Sequence, residues 1–479
     1  MFARSTMPSL SKRPVTIEPV LFLLFLVQGG LKTLKGRYIE HRLTEIYNYT
    51  APLNESTLCS NDNGKDPTQI KIEATTDKLM TYLWYEATLI PIASALILTT
   101  LSDFIGRKPM LIISSVGYIT ASLMTFLVAY LKLPLALLLV PQGVLGVCGG
   151  KALLLSISFS YIADVTIHVQ NTRSIRFVLL DLMRYLGFGI AFISIDVFLK
   201  ETQDYVLAFL LLCIPAFLSF IYIILPWLLL ESCQTRPIQS NILKEIFLSV
   251  FYLFKQNGNG RRLKLLLLLV CLFLYVIVIE ELLSVIVSYG QRIPFCWTHN
   301  DVRMYRVVGY ITPAIASVIV VKLLSPWTSD SWFVRIGLSS GIGLLLSSAL
   351  ATTNSSLLYI APVLGLLRIL PSAILQSVMS KNVTSAEQGT LFGSIAVVIS
   401  IARFSSPFLM NGIFQHMAEI HQLYIIFYIA IGILVIPLVL MSILDRLSEW
   451  HPQPGYLPLQ GDDRMTHEAG TRQDRTIDT

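Results

Sequence analysis

Apolar runs recur along this chain near residues 15–34, 82–101, 109–131, 135–161, 177–199, 205–230, 264–288, 305–324, 333–351, 356–379, 390–415 and 421–444, with polar stretches between them. Each is about twenty residues long, enough to cross a bilayer core as a helix. Backbone groups in lipid have no water to bond, so the runs are predicted as helices. The pattern divides the chain into an N-terminal segment (1–14), six spans (15–230, with a long outer loop at 35–81), a polar loop (231–263), six more spans (264–444) and a polar tail (445–479). The prediction is an all-α membrane protein of twelve helices in two six-helix halves, a plan that places a site at the interface of the halves. Within the central loop, Ile242, Leu243, Ile246, Phe247, Val250, Phe251 and Phe254 recur at helical spacing and predict an amphipathic helix on the membrane surface. The tail, rich in Asp, Arg, Thr and Gln, is polar enough to stay disordered.

Composition sharpens this picture. The chain is 54% hydrophobic and 14% charged, with a mean hydropathy of +0.66. A soluble domain carries about a quarter charged residues, so that class is excluded. The net charge of +6 does not imply nucleic acid, because its cations cluster in loops of one side. Arg4, Lys12 and Arg13 precede the first span, Arg107 and Lys108 follow the second, and Arg173 and Arg176 follow the fourth. Lys244, Lys255, Arg261, Arg262 and Lys264 occupy the central loop. That distribution predicts both termini in the cytosol. The first outer loop also carries Arg37, Arg42 and Lys71, but long loops translocate regardless of charge. The first apolar run lacks a small-residue cleavage site and reads as a retained span.

Two further features agree with this orientation. Asn48 and Asn54 head glycosylation sequons in the first outer loop. Asn354 heads a third, close to the membrane, and Asn382 a fourth on the cytosolic side. Of six cysteines, Cys59 and Cys296 alone fall in outer loops; an oxidising compartment lets them pair, and otherwise they are two unrelated thiols.

The most informative loop is Ser102-Asp103-Phe104-Ile105-Gly106-Arg107-Lys108 between spans 2 and 3. It resembles the helix 2–3 loop of the major facilitator superfamily. Gly106 permits a sharp turn, since only glycine enters left-handed geometry cheaply. Asp103 can accept hydrogen bonds from Arg107 and from a neighbouring helix N-terminus, forming an inner-face latch of Asp103, Gly106 and Arg107. Where the superfamily pattern has a glycine four residues before the acid, this chain has Thr99. The loop between spans 8 and 9 keeps an acid, Asp330, and a downstream Arg335, as a decayed internal repeat would.

Several other segments resemble proton-coupled folate transporters, solute carrier family 46. They are Ile17-Glu18-Pro19-Val20, Ser160-Tyr161-Ile162-Ala163-Asp164-Val165, Arg173-Ser174-Ile175-Arg176-Phe177 with Leu179-Leu180-Asp181, and Pro294-Phe295-Cys296-Trp297. Ser380-Lys381 followed by Glu387-Gln388-Gly389-Thr390-Leu391-Phe392 is the most specific match. The resemblance runs from about residue 16 to 445 and is nearest the lysosomal branch. It implies a twelve-helix major facilitator fold and proton-coupled transport of an organic solute, with no enzymatic activity and no cofactor beyond the proton gradient.

Charges inside spans are the candidate working parts, because each costs roughly 2.5–3.5 kcal/mol at the bilayer centre. Those singled out are Lys151, Asp181, Arg184, Glu280, Glu281, Arg368 and Arg403. The family's helix 5 glutamate, implicated in coupling, falls at Asp181, the leading candidate; an acid in apolar surroundings is easier to protonate. The alternative is a static pair of Asp181 with Arg184 three residues on. Glu280 and Glu281 are the reserve candidates, at most one of them expected to face the cavity. Lys151, Arg368 and Arg403 bring surplus positive charge and point to an anionic solute, or else they bridge to acids such as Asp181.

Departures from the family narrow the solute. Gln376 stands near the family's helix 10 arginine, Glu280 and Glu281 near the folate carrier's helix 7 histidine, and Gly149-Gly150-Lys151 near its helix 4 acid. These point away from folate itself and toward another organic anion, with muramyl peptides and bulky amphipathic conjugates left open. Gln376 joins Arg368, Lys151 and Arg403 as a candidate solute contact. In the tail, Tyr456 and Leu459 are spaced as in an endosomal and lysosomal sorting signal read by an adaptor. The expected location is therefore a lysosomal, endosomal or plasma membrane. The functions to weigh are a proton symporter of a small organic anion, a proton-independent facilitator and a membrane receptor that has lost transport.

Overall fold

The computed structural model describes residues 16–49, 67–167, 169, 172–233, 242–255, 260–352, 355–420 and 422–450, and among them the regular structure is entirely helical. The N-terminal half comprises α1 (Glu18–Ile46), α2 (Pro67–Ile105), α3 (Arg107–Tyr130), α4 (Leu139–Val147), α5 (Gly150–Val165), α6 (Arg173–Thr202) and α7 (Tyr205–Ile224). After the short α8 (Ile242–Lys255), the C-terminal half comprises α9 (Arg261–Gly290), α10 (His299–Leu324), α11 (Asp330–Leu350), α12 (Ser355–Leu364), α13 (Leu370–Lys381), α14 (Gln388–Glu419) and α15 (Ile425–Trp450). The helices overrun the apolar runs, so residues 35–46 and 67–81, expected as loop, extend α1 and α2.

Among the described residues, eleven segments are long and apolar enough to cross a membrane. The twelfth expected span, near 356–379, is instead divided into α12 and α13. Pro371 supplies the reason: inside a helix its ring would meet the carbonyl four residues earlier, so it sits in the first turn of a new helix. The fourth span is divided as well. Gly149 and Gly150 take φ of +83° and +48°, which ends α4 and restarts the chain as α5. Both interruptions fall in the fourth span of their half. Interrupted helices at corresponding positions of two repeats mark where a transporter puts its binding site.

The halves meet mainly along α2 with α14 and α6 with α10, and also where α5 packs on α14 and α6 on α13. Gly187 packs on α1 in its own half, whereas Gly189 packs on Ile311 of α10 across the divide. The amphipathic helix α8 lies against both α2 and α14, burying Ile246 and Leu253. Phe251 and Tyr252 stay exposed, with Lys255 over their rings.

Candidate functional site

At one face of the molecule the 103–107 loop forms the expected latch. Gly106 turns the chain with φ +112° into α3. Asp103 accepts hydrogen bonds from Gly389 N (2.9 Å), Thr390 N (2.8 Å) and Thr390 Oγ1 (3.0 Å). The carboxylate thus caps the unsatisfied, positive end of α14 in the other half. Arg107, fully buried, lies 2.8 Å from Asp103 and 2.9 Å from Asp164. The approach needs a glycine at 389, since a Cβ there would collide with Arg107, Asp103 and the Thr99 carbonyl. Thr99 is buried and shares a 2.7 Å hydrogen bond with Ser156, tying α2 to α5.

Sequence reasoning missed two further latch partners, Asp164 and Glu231. Glu231 accepts from Arg107 N (2.7 Å) and Lys108 N (2.9 Å), capping α3. They stand 57 and 124 residues from Arg107, so no local pattern links them. The repeat loop makes a related contact: Asp330 accepts from Ser174 Oγ (2.8 Å) in the first turn of α6 and pairs with Lys381 at 2.6 Å. Arg335 pairs instead with Asp445. Arg173 reaches the Ser380 carbonyl at 3.1 Å, adding another link between halves.

Above this latch lie two adjoining cavities, of about 600 and 1590 Å³ when the solvent space into which each opens is included. Arg184, Tyr185, Ile279, Glu280 and Arg403 line both. On the latch side the smaller cavity ends near the ring cluster Phe159, Phe177 and Phe392, whose centroids lie 4.8–6.0 Å apart. The larger cavity is lined by six cationic side chains, Lys32, Lys35, Lys151, Arg184, Arg368 and Arg403, against two carboxylates, Glu280 and Glu281. Such a wall favours an anion.

Two of these cations sit at the helix breaks. Lys151 is the second residue of α5, beside a helix N-terminus where positive charge is least favoured. Among the described residues it makes no ion pair, so the expected alternative of a bridge to Asp181 is not formed. Arg368 lies just before α13, buried, and donates to the Gly365 carbonyl (3.1 Å) and the Gly309 carbonyl. No carboxylate among the described residues pairs with it. Gln376 lines the smaller cavity, its amide turned back to the Ser372 carbonyl at 3.1 Å.

The three acids differ. Asp181 is buried and lies 3.1 Å from Arg184, the static pairing anticipated as its alternative. Glu280 pairs with Arg403. Glu281 makes no ion pair among the described residues. Both Glu280 and Glu281 line the larger cavity, which corrects the expectation that only one would; the cavity is wide enough to meet adjacent positions of α9.

The opposite face is closed differently. Asp196 of α6 pairs with Arg37 of α1 and with Arg303 of α10, the latter across the divide. On α2 and α14, Trp84 stacks on Phe404 (5.6 Å) and Tyr85 on Phe408 (6.0 Å). Asn48 is exposed just beyond α1 at this face. Cys148, Cys213, Cys233 and Cys271 are free thiols, and Cys296 is not among them. Asn54, Cys59, Tyr456 and Leu459 lie outside the described residues.

Two helical halves around a polar cavity, gated at both faces, define a membrane transporter. The chain belongs to the Major Facilitator Superfamily, whose description matches residues 48–407. The resemblance to solute carrier family 46 extends over most of its length. It is 25% identical over 447 residues to the Homo sapiens "Lysosomal proton-coupled steroid conjugate and bile acid symporter SLC46A3", covering 91% of this chain and 95% of that protein. It is 26% identical over 439 residues to the Bos taurus "Proton-coupled folate transporter", covering 90% and 92%. In fold it matches the human organic anion transporter MFSD10 at a TM-score of 0.65 and 15% identity, over 89% of this chain and 98% of that one. These relatives are transporters and not enzymes.

Proposed function

We propose that this protein is a secondary transporter that moves a small organic anion together with protons by alternating access. Residues 1–230 rock against 264–445, with the Asp103 latch closing one face in the state described. The observation that carries this reading is the unpaired cations Lys151 and Arg368 at the two interrupted helices, facing one cavity from opposite halves. Relatives named for proton-coupled transport of folate, steroid conjugates and bile acids agree with it. The relatives named as lysosomal also favour a lysosomal membrane.

Coupling follows from the Asp181–Arg184 pair. Arg184 lines both cavities and lies over the Tyr185 ring at 4.4 Å. While Asp181 is ionised it holds this arginine. A proton on Asp181 cancels that attraction and frees the guanidinium for an incoming anion, so proton and solute load together. Replacing Asp181 by Asn mimics the loaded state. Uptake by the variant is expected to lose its dependence on outside pH while surface expression is retained. An unaltered pH profile moves the proton to Glu280 or Glu281. A second reading, a proton-independent facilitator, is favoured by the same ion pair if it stays closed throughout the cycle; wild-type uptake equal at acidic and neutral pH would establish it.

A further inference from the structure

The cavity's cations fall into two groups at different depths, and only the deeper group was legible as part of the site. Lys35 is buried in the middle part of α1, where its ammonium donates to the Gln142 side chain at 3.2 Å. Both residues line the larger cavity, with Lys32 one turn away and exposed to it. Gln28, also on α1, lines the same wall, and its Oε1 is buried without a hydrogen-bond partner. The nearest acid, Glu86, makes no ion pair with Lys35 among the described residues, and its own Oε2 is buried and unbonded. A buried lysine bonded to one neutral amide, with Glu86 near enough to attract it but not paired with it, has its charge only partly compensated.

The depth of this group can be read from two helices. Gln142 lies on α4 and Lys151 on α5, on opposite sides of the Gly149-Gly150 break in the fourth span. On α1, Phe25 and Gly29 both touch Phe188, which stacks near Tyr310, the neighbour of the Gly309 carbonyl that binds Arg368. Lys35 lies six to ten residues beyond that level, about 9–15 Å at the helical rise of 1.5 Å per residue. The wall between the two depths is apolar and aromatic: Phe25, Leu31, Phe188 and Tyr310.

We propose that Lys35, Lys32, Gln28 and Gln142 form a second anion subsite, and that the solute is an elongated amphipath with an anionic group at each end. One end meets Lys151 and Arg368 at the helix breaks, and the other meets Lys35 near the mouth, with an apolar body between. This rests on the organic-anion reading and narrows it.

The test uses purified full-length protein and rigid probes: dicarboxylates of biphenyl and terphenyl against monocarboxylates of the same frames, with binding read by calorimetry. The longer dicarboxylate is expected to bind roughly tenfold or more tighter than its monocarboxylate, the worth of one charge-assisted hydrogen bond. Lys35→Gln should weaken the dicarboxylate much more than the monocarboxylate and so close the difference, while Arg368→Gln weakens both. Lys32→Gln, at an exposed position, serves if Lys35→Gln misfolds and should narrow the same difference. Monocarboxylate binding that depends on Arg368, with no gain from the second carboxylate, overturns the second subsite and leaves the transporter reading standing. Binding of none of the four overturns both.

Discussion

The helix pair α2 and α14 closes the molecule at both ends with different chemistry. At the latch face Asp103 gives its carboxylate to three donors at the start of α14 and to Arg107. Some eighteen residues back along α2, the same two helices meet through stacked rings, Trp84 on Phe404 and Tyr85 on Phe408. The polar contact is directional, and breaking it strands buried charges and backbone donors, a cost paid at once. The aromatic contact has no donors to strand and yields gradually, each pair being worth about 0.5–1.5 kcal/mol beyond its burial. The latch face is therefore the heavier gate, and the cavity, still open to solvent, lies nearer the lighter one.

The largest effect is expected from Gly389→Val. There is no room for a side chain between Arg107, Asp103 and Thr99, so the latch cannot close. Uptake should fall to background with the protein still at the membrane; normal uptake would mean that this contact is not on the cycle.

Asp103→Asn keeps the shape and removes the charge. Hydrogen bonds to a charged group are worth about 1.5–3 kcal/mol, so a shift of roughly tenfold or more toward the open latch follows. Cys233 reports it directly. This residue lies outside the spans, beside the latch, where burial pushes its thiol up to about 11 despite the nearby Arg107. It should react slowly with a maleimide at neutral pH in the native protein and several-fold faster in the variant, as water reaches the thiol. Equal rates would show that the latch does not bury this segment.

Phe404→Ala probes the light gate and should change uptake by only a few-fold, consistent with one aromatic pair. A loss as deep as that of Asp103→Asn would erase the contrast between the two ends.

The contrast also marks what the sequence could tell. Spans and the Asp103 loop were legible because hydropathy and the turn glycine are local signals. The aromatic gate was not, since Trp84 and Phe404 lie in separate apolar runs where rings are ordinary. The break in the fourth span was signalled by Gly149-Gly150, and that in the tenth by Pro371, but a run of apolar residues hides an interruption. Lys32 and Lys35 were not legible as site residues, since Lys32 lies at the end of the first apolar run and Lys35 falls in the stretch expected as loop. Only the extension of α1 to Ile46 puts them inside the bundle. Asp181 and Arg184 could be paired from their spacing, whereas the partners of Arg107 required the fold.

The decisive measurement is uptake into proteoliposomes with an acidic exterior, offering folate, a bile acid and a steroid sulfate to the native protein and to Lys151→Gln and Arg368→Gln. Acid-driven accumulation of at least one anion, lost in both variants, is the predicted result. No accumulation of any, or accumulation indifferent to both substitutions, would contradict an anion path through the two interrupted helices.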